Sequence, residues 1–177
     1  MVKKFYLGLI SLQYSFILVA LPIIIFFLAF SQTRNPDLNY RLPMIIVTVI
    51  LAIVMFFYYK AKFGITMTLR KVKNIDEYEE GGMLDRSYIL EDRMLAGCKL
   101  HVVERKTTGI NSLQAENKGR KVLLHMDGEE GPFDAIAIDR NEAERFAAFL
   151  KRKNPEIVLE NIETRGNGTL KELGAVK

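Results

Sequence analysis

Two stretches of the chain contain no charged side chain, residues 5–30 and residues 42–59, and almost every charge lies beyond Lys60. A helix needs about 20 apolar residues to cross a hydrocarbon core of about 30 Å. FYLGLISLQYSFILVALPIIIFFLAF, Phe5 to Phe30, has that length, with Ser11, Gln13 and Ser15 as its polar interruptions. LPMIIVTVILAIVMFFYY, Leu42 to Tyr59, is a shorter second span in which Thr48 can bond its own helix backbone. Neither stretch has a polar face, which argues against a helix in a soluble core. The first run is also longer than the apolar region of a signal peptide and is followed by no small-x-small cleavage site. The intervening SQTRNPDLNYR has turn-forming chemistry and is short enough to make the spans antiparallel neighbours. Residues 1–60 are therefore predicted to be a transmembrane hairpin, with helices over about 5–30 and 42–59.

The pattern changes after residue 60. ITMTLRKV alternates apolar and polar positions as a half-buried strand does. RSYILED, KLHVVERK, RKVLLHM and FDAIAID are further short strand-like runs, and ENKG and DGEEGP carry turn chemistry. RKVLLHMDGEEGPFDAIAID reads as one hairpin with its loop near Asp127 and Gly128. In NEAERFAAFLKRKNP the period becomes helical: Phe146, Phe149 and Leu150 form one stripe with Ala143 and Ala147 beside it. Asn141 with Glu144 three residues later has the capping-box pattern, and Pro155 stops the helix, which is expected over about 141–153. Residues 61–155 are thus expected to be one β-rich cytoplasmic domain. Residues 156–177 are expected to be a loosely ordered tail, with at most a short strand or helix at Ile157 to Ile162.

Charge fixes the expected orientation. The hairpin loop carries Arg34 and Arg41, whereas the flanks carry Lys3, Lys4, Lys60, Lys62, Arg70, Lys71 and Lys73. The side richer in lysine and arginine stays in the cytoplasm, so both termini are expected there, in a multi-pass protein of the cell (inner or plasma) membrane. Tyr58 and Tyr59 are then membrane-interface residues at the headgroup level, with Lys60 and Lys62 facing the anionic leaflet. The net charge of +4 is spread among interspersed acids and bases, unlike the concentrated stripe of a nucleic-acid surface. A single cysteine, Cys98, excludes an intramolecular disulfide.

Two transmembrane helices, a β-rich domain of this size and a closing helix together resemble bacterial membrane proteins with a pleckstrin-homology-like domain. The segment AIDRNEAERFAAFLKRKNPEI, with its turn, helix and asparagine–proline stop, is similar to the way such domains end. The stretch NIDEYEEGGMLDRSY departs from the compact strand turns of that pattern. The resemblance implies a membrane-anchored α+β chain whose domain is a seven-stranded split barrel, or curved antiparallel sheet, capped by a helix. It implies no catalytic activity.

The residues offer little catalytic chemistry. His101, His125 and Cys98 are of metal-ligating types but lack the paired spacing of a zinc site, so no metal is expected. Cys98 is expected to be a small buried hydrophobe. There is no G-x-S-x-G and no G-x-x-x-x-G-K-[ST] motif, and no cofactor is expected. Asp76, Glu77, Glu79 and Glu80 lack the spacing of a calcium loop and read as a solvated loop. The spans contain no ionisable residue of the kind that transport pathways use, and Gly8, Ala20, Ala29 and Ala52 form no G-x-x-x-G pair. The expected function is therefore non-enzymatic: a membrane-anchored binding or scaffold protein with the bilayer and a protein or lipid as partners. Lys118, Arg120 and Lys121 are the candidate contacts to that partner. The alternative is an accessory subunit of a larger transport or secretion complex, in which Ser11, Gln13 and Ser15 face neighbouring helices. A membrane-bound enzyme with an unrecognised site is the third.

Overall fold

The computed structural model describes residues 1–35, 37, 39–98 and 101–174. They fall into two compact units, Lys3–Thr66 and a unit that joins Met1–Val2 to the chain from Met67 onward. Two helices carry the first unit, α1 (Val2–Arg34) and α2 (Arg41–Lys71). Both are long and apolar enough to cross a membrane. Large apolar side chains stand exposed along them, among them Phe16 at 81%, Phe26 at 67% and Phe56 at 63%. The helices run antiparallel: Tyr14 in the first half of α1 meets Tyr58 in the second half of α2, edge to face at 5.7 Å. At the other end the Tyr40 N–H donates to the Gln32 side-chain oxygen at 2.8 Å, closing the connection. Pro36 and Leu38 of that predicted turn lie outside the described residues.

α2 extends well past Tyr59. ITMTLRKV, expected as a strand, is helical as far as Lys71. Ile65, Leu69 and Val72 are the buried positions, and their i, i+4, i+7 spacing is helical even though the same letters also alternate.

The described residues of the second unit contain eight strands in two sheets. β1 (Gly82–Leu84), β2 (Ser87–Ile89), β3 (Arg93–Cys98) and β4 (His101–Lys106) form an antiparallel meander in chain order. Of the predicted KLHVVERK strand, Lys99 and Leu100 lie outside the described residues. β5 (Ile110–Lys118), β6 (Lys121–Gly128) and β7 (Phe133–Ala137) form a second meander, joined by the short parallel strand β8 (Val158–Glu160) in the order β7-β6-β5-β8. The expected β6–β7 hairpin is present, with its turn one or two residues later than predicted, at Glu129–Pro132.

The two sheets do not close into a barrel. β6 occupies one edge of β5 and β8 the other, so β5 has no edge to offer β4. The helix α3 (Arg140–Lys153) covers the core between the sheets. Phe146 and Phe149 stack at 6.3 Å and are both fully buried, together with Leu113, Leu124 and Ala135. Its cap sits two residues earlier than expected. Asp139 accepts the Glu142 N–H at 2.8 Å, satisfying an orphan donor of the first turn, and Glu142 reaches back to the N–H of Ile138, the residue before the cap, at 2.5 Å.

The short strand expected within Ile157 to Ile162 is β8, and beyond it, where a loose segment was expected, the tail is pinned as far as Gly174. β8 pairs with β5, and a 3-10 turn at Leu170–Leu173 packs against β1. Leu173 is 1% exposed and the Met83 N–H donates to the Gly174 carbonyl at 3.1 Å. Hydrophobic anchors eleven residues apart, Ile162 and Leu173, hold a stretch that has no period of its own.

Candidate functional site

The four residues predicted to mark the membrane interface sit within a continuous helix, not at its end. Tyr58 lies against Tyr14 and Tyr59, at 5.7 and 5.3 Å, and the Lys62 ammonium stands 5.6 Å over the Tyr58 ring. Tyr59 is 58% exposed and Lys60 is exposed. Tyr58 and Lys62 are one helical turn apart, the spacing at which a cation can reach an aromatic face. The hydroxyls of Ser15 and Thr48 bond carbonyls of their own helices, Leu12 at 2.9 Å and Met44 at 2.8 Å.

Lys118, Arg120 and Lys121 are gathered at the β5–β6 turn, where Gly119 has φ 65°, the left-handed backbone a two-residue hairpin favours. The turn is less basic than its sequence. The Lys118 ammonium is 3.3 Å from Glu116, and that of Lys121 is 2.6 Å from Asp85 in the β1–β2 turn. Arg120, exposed, has no ion pair among the described residues. The sequence separation of Asp85 and Lys121 hides this neutralisation, which only the meeting of two hairpin turns creates.

The three metal-type residues are divided between the sheets. Cys98 and His101 are register partners across β3 and β4, Cys98 buried and His101 exposed, while His125 is on β6. The His125 ring bonds Asp134 through Nδ1 at 2.7 Å and Glu116 through Nε2 at 3.4 Å, a cross-strand bridge on the outer face of the second sheet. Hydrogen bonds from His125, then from Lys118, hold the Glu116 carboxyl below its ordinary range. No group of three or more His, Cys, Asp or Glu among the described residues is placed to hold a metal ion. Of the acidic run, Glu77 accepts from the Arg93 guanidinium at 2.5 Å and from the Asn74 amide at 2.7 Å, within a 3-10 turn at Ile75–Glu79.

A second basic feature escaped the sequence reading. At the end of the sheets away from the Lys118–Lys121 turn, the β2–β3, β4–β5 and β6–β7 connections surround a cleft of about 460 Å³. Lys71, Lys73, Arg93, Arg105 and Lys106 line it, against Asp92, Glu104 and Glu130. Arg93 is held over the Tyr78 ring at 5.7 Å and Arg105 over Phe133 at 5.6 Å. Glu104 accepts the Tyr78 hydroxyl at 2.9 Å, and Glu130 is 3.5 Å from Arg105. Lys71, Lys73 and Lys106 are exposed and have no carboxylate within ion-pair distance among the described residues. These bases come from three separate stretches of chain, so no charge run announces them.

Comparison of the chain with protein-family models, with curated proteins and with solved structures finds no match.

Proposed function

We propose that this chain is a non-enzymatic, membrane-anchored binding or scaffold protein. Its hairpin spans the bilayer with both termini in the cytoplasm and presents a pleckstrin-homology-like domain to a partner there, in the manner of bacterial inner-membrane proteins. The observation that carries the reading is the hairpin's exposed apolar surface, far more than a water-soluble chain leaves uncovered, bounded by basic residues on one side. Support for the domain type comes from element order: a four-stranded meander, a three-stranded meander and a covering helix. β8 and the open sheets are departures from it.

The test is alkaline carbonate extraction of native membranes combined with protease digestion of sealed spheroplasts. Retention in the pellet and protection of a C-terminal epitope are expected. Release of the protein by carbonate overturns the anchor, and digestion of the epitope from outside overturns the orientation. The rival role as an accessory subunit predicts one stoichiometric protein partner in an affinity purification of the full-length chain.

A further inference from the structure

Two contacts across the hairpin fix the register of its helices. Tyr14 meets Tyr58, and the Gln32 side chain accepts the Tyr40 N–H. The contacts lie 18 residues apart on either side of the hairpin, so α1 and α2 run level along their length. Phe30 is then level with Leu42, and Gln13 with Tyr59. Leu12 and Ile10 are level with Lys60 and Lys62. The two uncharged stretches of the chain are therefore out of step. Leu42–Tyr59 stands beside residues 13–30, and Phe5–Leu12 stands beside the basic turns of α2. Hydrocarbon reaching as far as Phe5 would draw the Cα atoms of Lys60 and Lys62 about 10 Å and 8 Å inside it. An ammonium group is costly there.

We propose that the chain meets the hydrocarbon of the bilayer only over residues 13–30 and 42–59. Phe5–Leu12, largely apolar, lies outside it on the cytoplasmic side, beside Lys60–Thr66 of α2. Each matched stretch is about 26 Å long at 1.5 Å per residue, close to the thickness of a hydrocarbon core. The boundary so placed collects groups suited to a headgroup layer: the exposed Ser11 and Gln13 on α1, and Tyr59, Lys60 and Lys62 on α2. Exposure agrees with it. Large exposed apolar side chains on α1 begin at Leu12 and end at Phe30, whereas Tyr6 and Ile10, and Ile65 on α2, are buried. Buried apolar positions belong to a helix covered by protein, and exposed ones to a helix covered by lipid. The inference rests on the anchored reading and sets the depth at which the anchor sits.

The sequence contains no tryptophan, so a single introduced one reports its own depth. The full-length variants Phe16→Trp, Ile24→Trp and Gly8→Trp are placed in phosphatidylcholine vesicles brominated near the middle or near the end of the acyl chains, and bromine quenching is read. Phe16 and Ile24 are exposed, and a β-carbon at Gly8 meets nothing within 4 Å, so the ring has room at all three positions. Circular dichroism checks that helicity is kept. The proposal puts Ile24 about 4 Å and Phe16 about 8 Å from the bilayer midplane, whereas a span over Phe5–Phe30 puts them at about 10 Å and 2 Å. With chain-end bromine, Ile24→Trp is therefore expected to lose more fluorescence than Phe16→Trp, and Gly8→Trp to keep its fluorescence with both lipids. The reverse order, or a loss at Gly8→Trp as large as at Phe16→Trp, overturns the proposal and leaves the anchor in place. Absence of quenching at all three positions overturns the anchor and the proposal together, and carbonate extraction reads the anchor independently.

Discussion

The Tyr78 hydroxyl donates to the Glu104 carboxylate at 2.9 Å, joining the 3-10 turn after α2 to the middle of β4 at the wall of the basic cleft. Burial first, then the hydrogen bond and charge of Glu104, push the phenol well above its ordinary range. Replacing Tyr78 with Phe removes this bond to a charged acceptor and is expected to lower stability by about 2 kcal/mol, read as a fall in the urea midpoint. The pH dependence has a definite sign. A raised folded-state pKa gives a contribution that is whole below about pH 10, the unfolded value, and lost as pH rises further. Y78F should therefore lose stability less steeply than the wild type above pH 10. Parallel curves there would show that Tyr78 ionises freely in the folded chain.

Glu142 titrates in the opposite region with the same sense. Desolvation dominates and raises its carboxyl, against the lowering effect of the Ile138 N–H it accepts. The folded state thus favours the protonated acid, a contribution present in full below the unfolded value near pH 4 and lost as pH rises through the folded one. Glutamine keeps the acceptor and never ionises. The melting temperature of Glu142→Gln relative to wild type should climb between pH 4 and pH 7, and a relative fall would reverse the assignment.

Leu173 is the anchor of the last described turn. It is 1% exposed, and its β-carbon lies 3.1 Å from the site a methyl would take on Gly82. Leu173→Ala should cost about 2–4 kcal/mol and should speed hydrogen exchange at the Met83 amide, which donates to Gly174. Faster exchange confined to the tail, with β1 unaffected, would mean that the two are not coupled.

Gly128 ends β6 where the backbone of Gly109 passes close by. A β-carbon there would stand 2.1 Å from the Gly109 carbonyl oxygen, which also accepts the Glu129 N–H at 3.0 Å. Gly128→Ala must push main chain against main chain, at a cost of about 2 kcal/mol or more. Calorimetry checks this, and an unchanged melting temperature would mean that the connection yields without loss.

The two long helices were legible, α2 as far as Tyr59, because their apolar runs are unbroken, and α3 was legible because its apolar positions recur at helical spacing. β6 and β7 were legible because Val122, Leu124, Met126 and Ala135 recur at every second position. β5 was not, although its buried positions include Ile110, Leu113 and Ala115. Asn111, Gln114, Glu116 and Asn117 between them are poor strand formers, and pairing on both edges overrides that preference. β3, RMLAGC, is buried on both faces after Arg93 and shows no alternation to detect. The site was the least legible part. Lys118, Arg120 and Lys121 stand together in sequence and drew notice, yet two of them are neutralised by acids. The cleft gathers Lys71, Lys73, Arg93, Arg105 and Lys106 through strand pairing and chain connections, which no local window contains.

The parallel ladder between β5 and β8 orders events during synthesis. Ser112 pairs with Val158, so β5 leaves the ribosome before its second neighbour has been translated. At 5–20 residues per second the interval is roughly 2–9 s. For that time β5 offers a bare row of amide and carbonyl groups, the kind of template on which chains aggregate. In the stretch that β8 later covers, Ser112 and Gln114 flank Leu113 with polar side chains, and Glu116, Asn117 and Lys118 beyond it are of the polar and charged types that discourage such pairing. The β-poor composition that hid this strand from a reader of the sequence thus serves the nascent chain as a guard until Val158–Glu160 arrives.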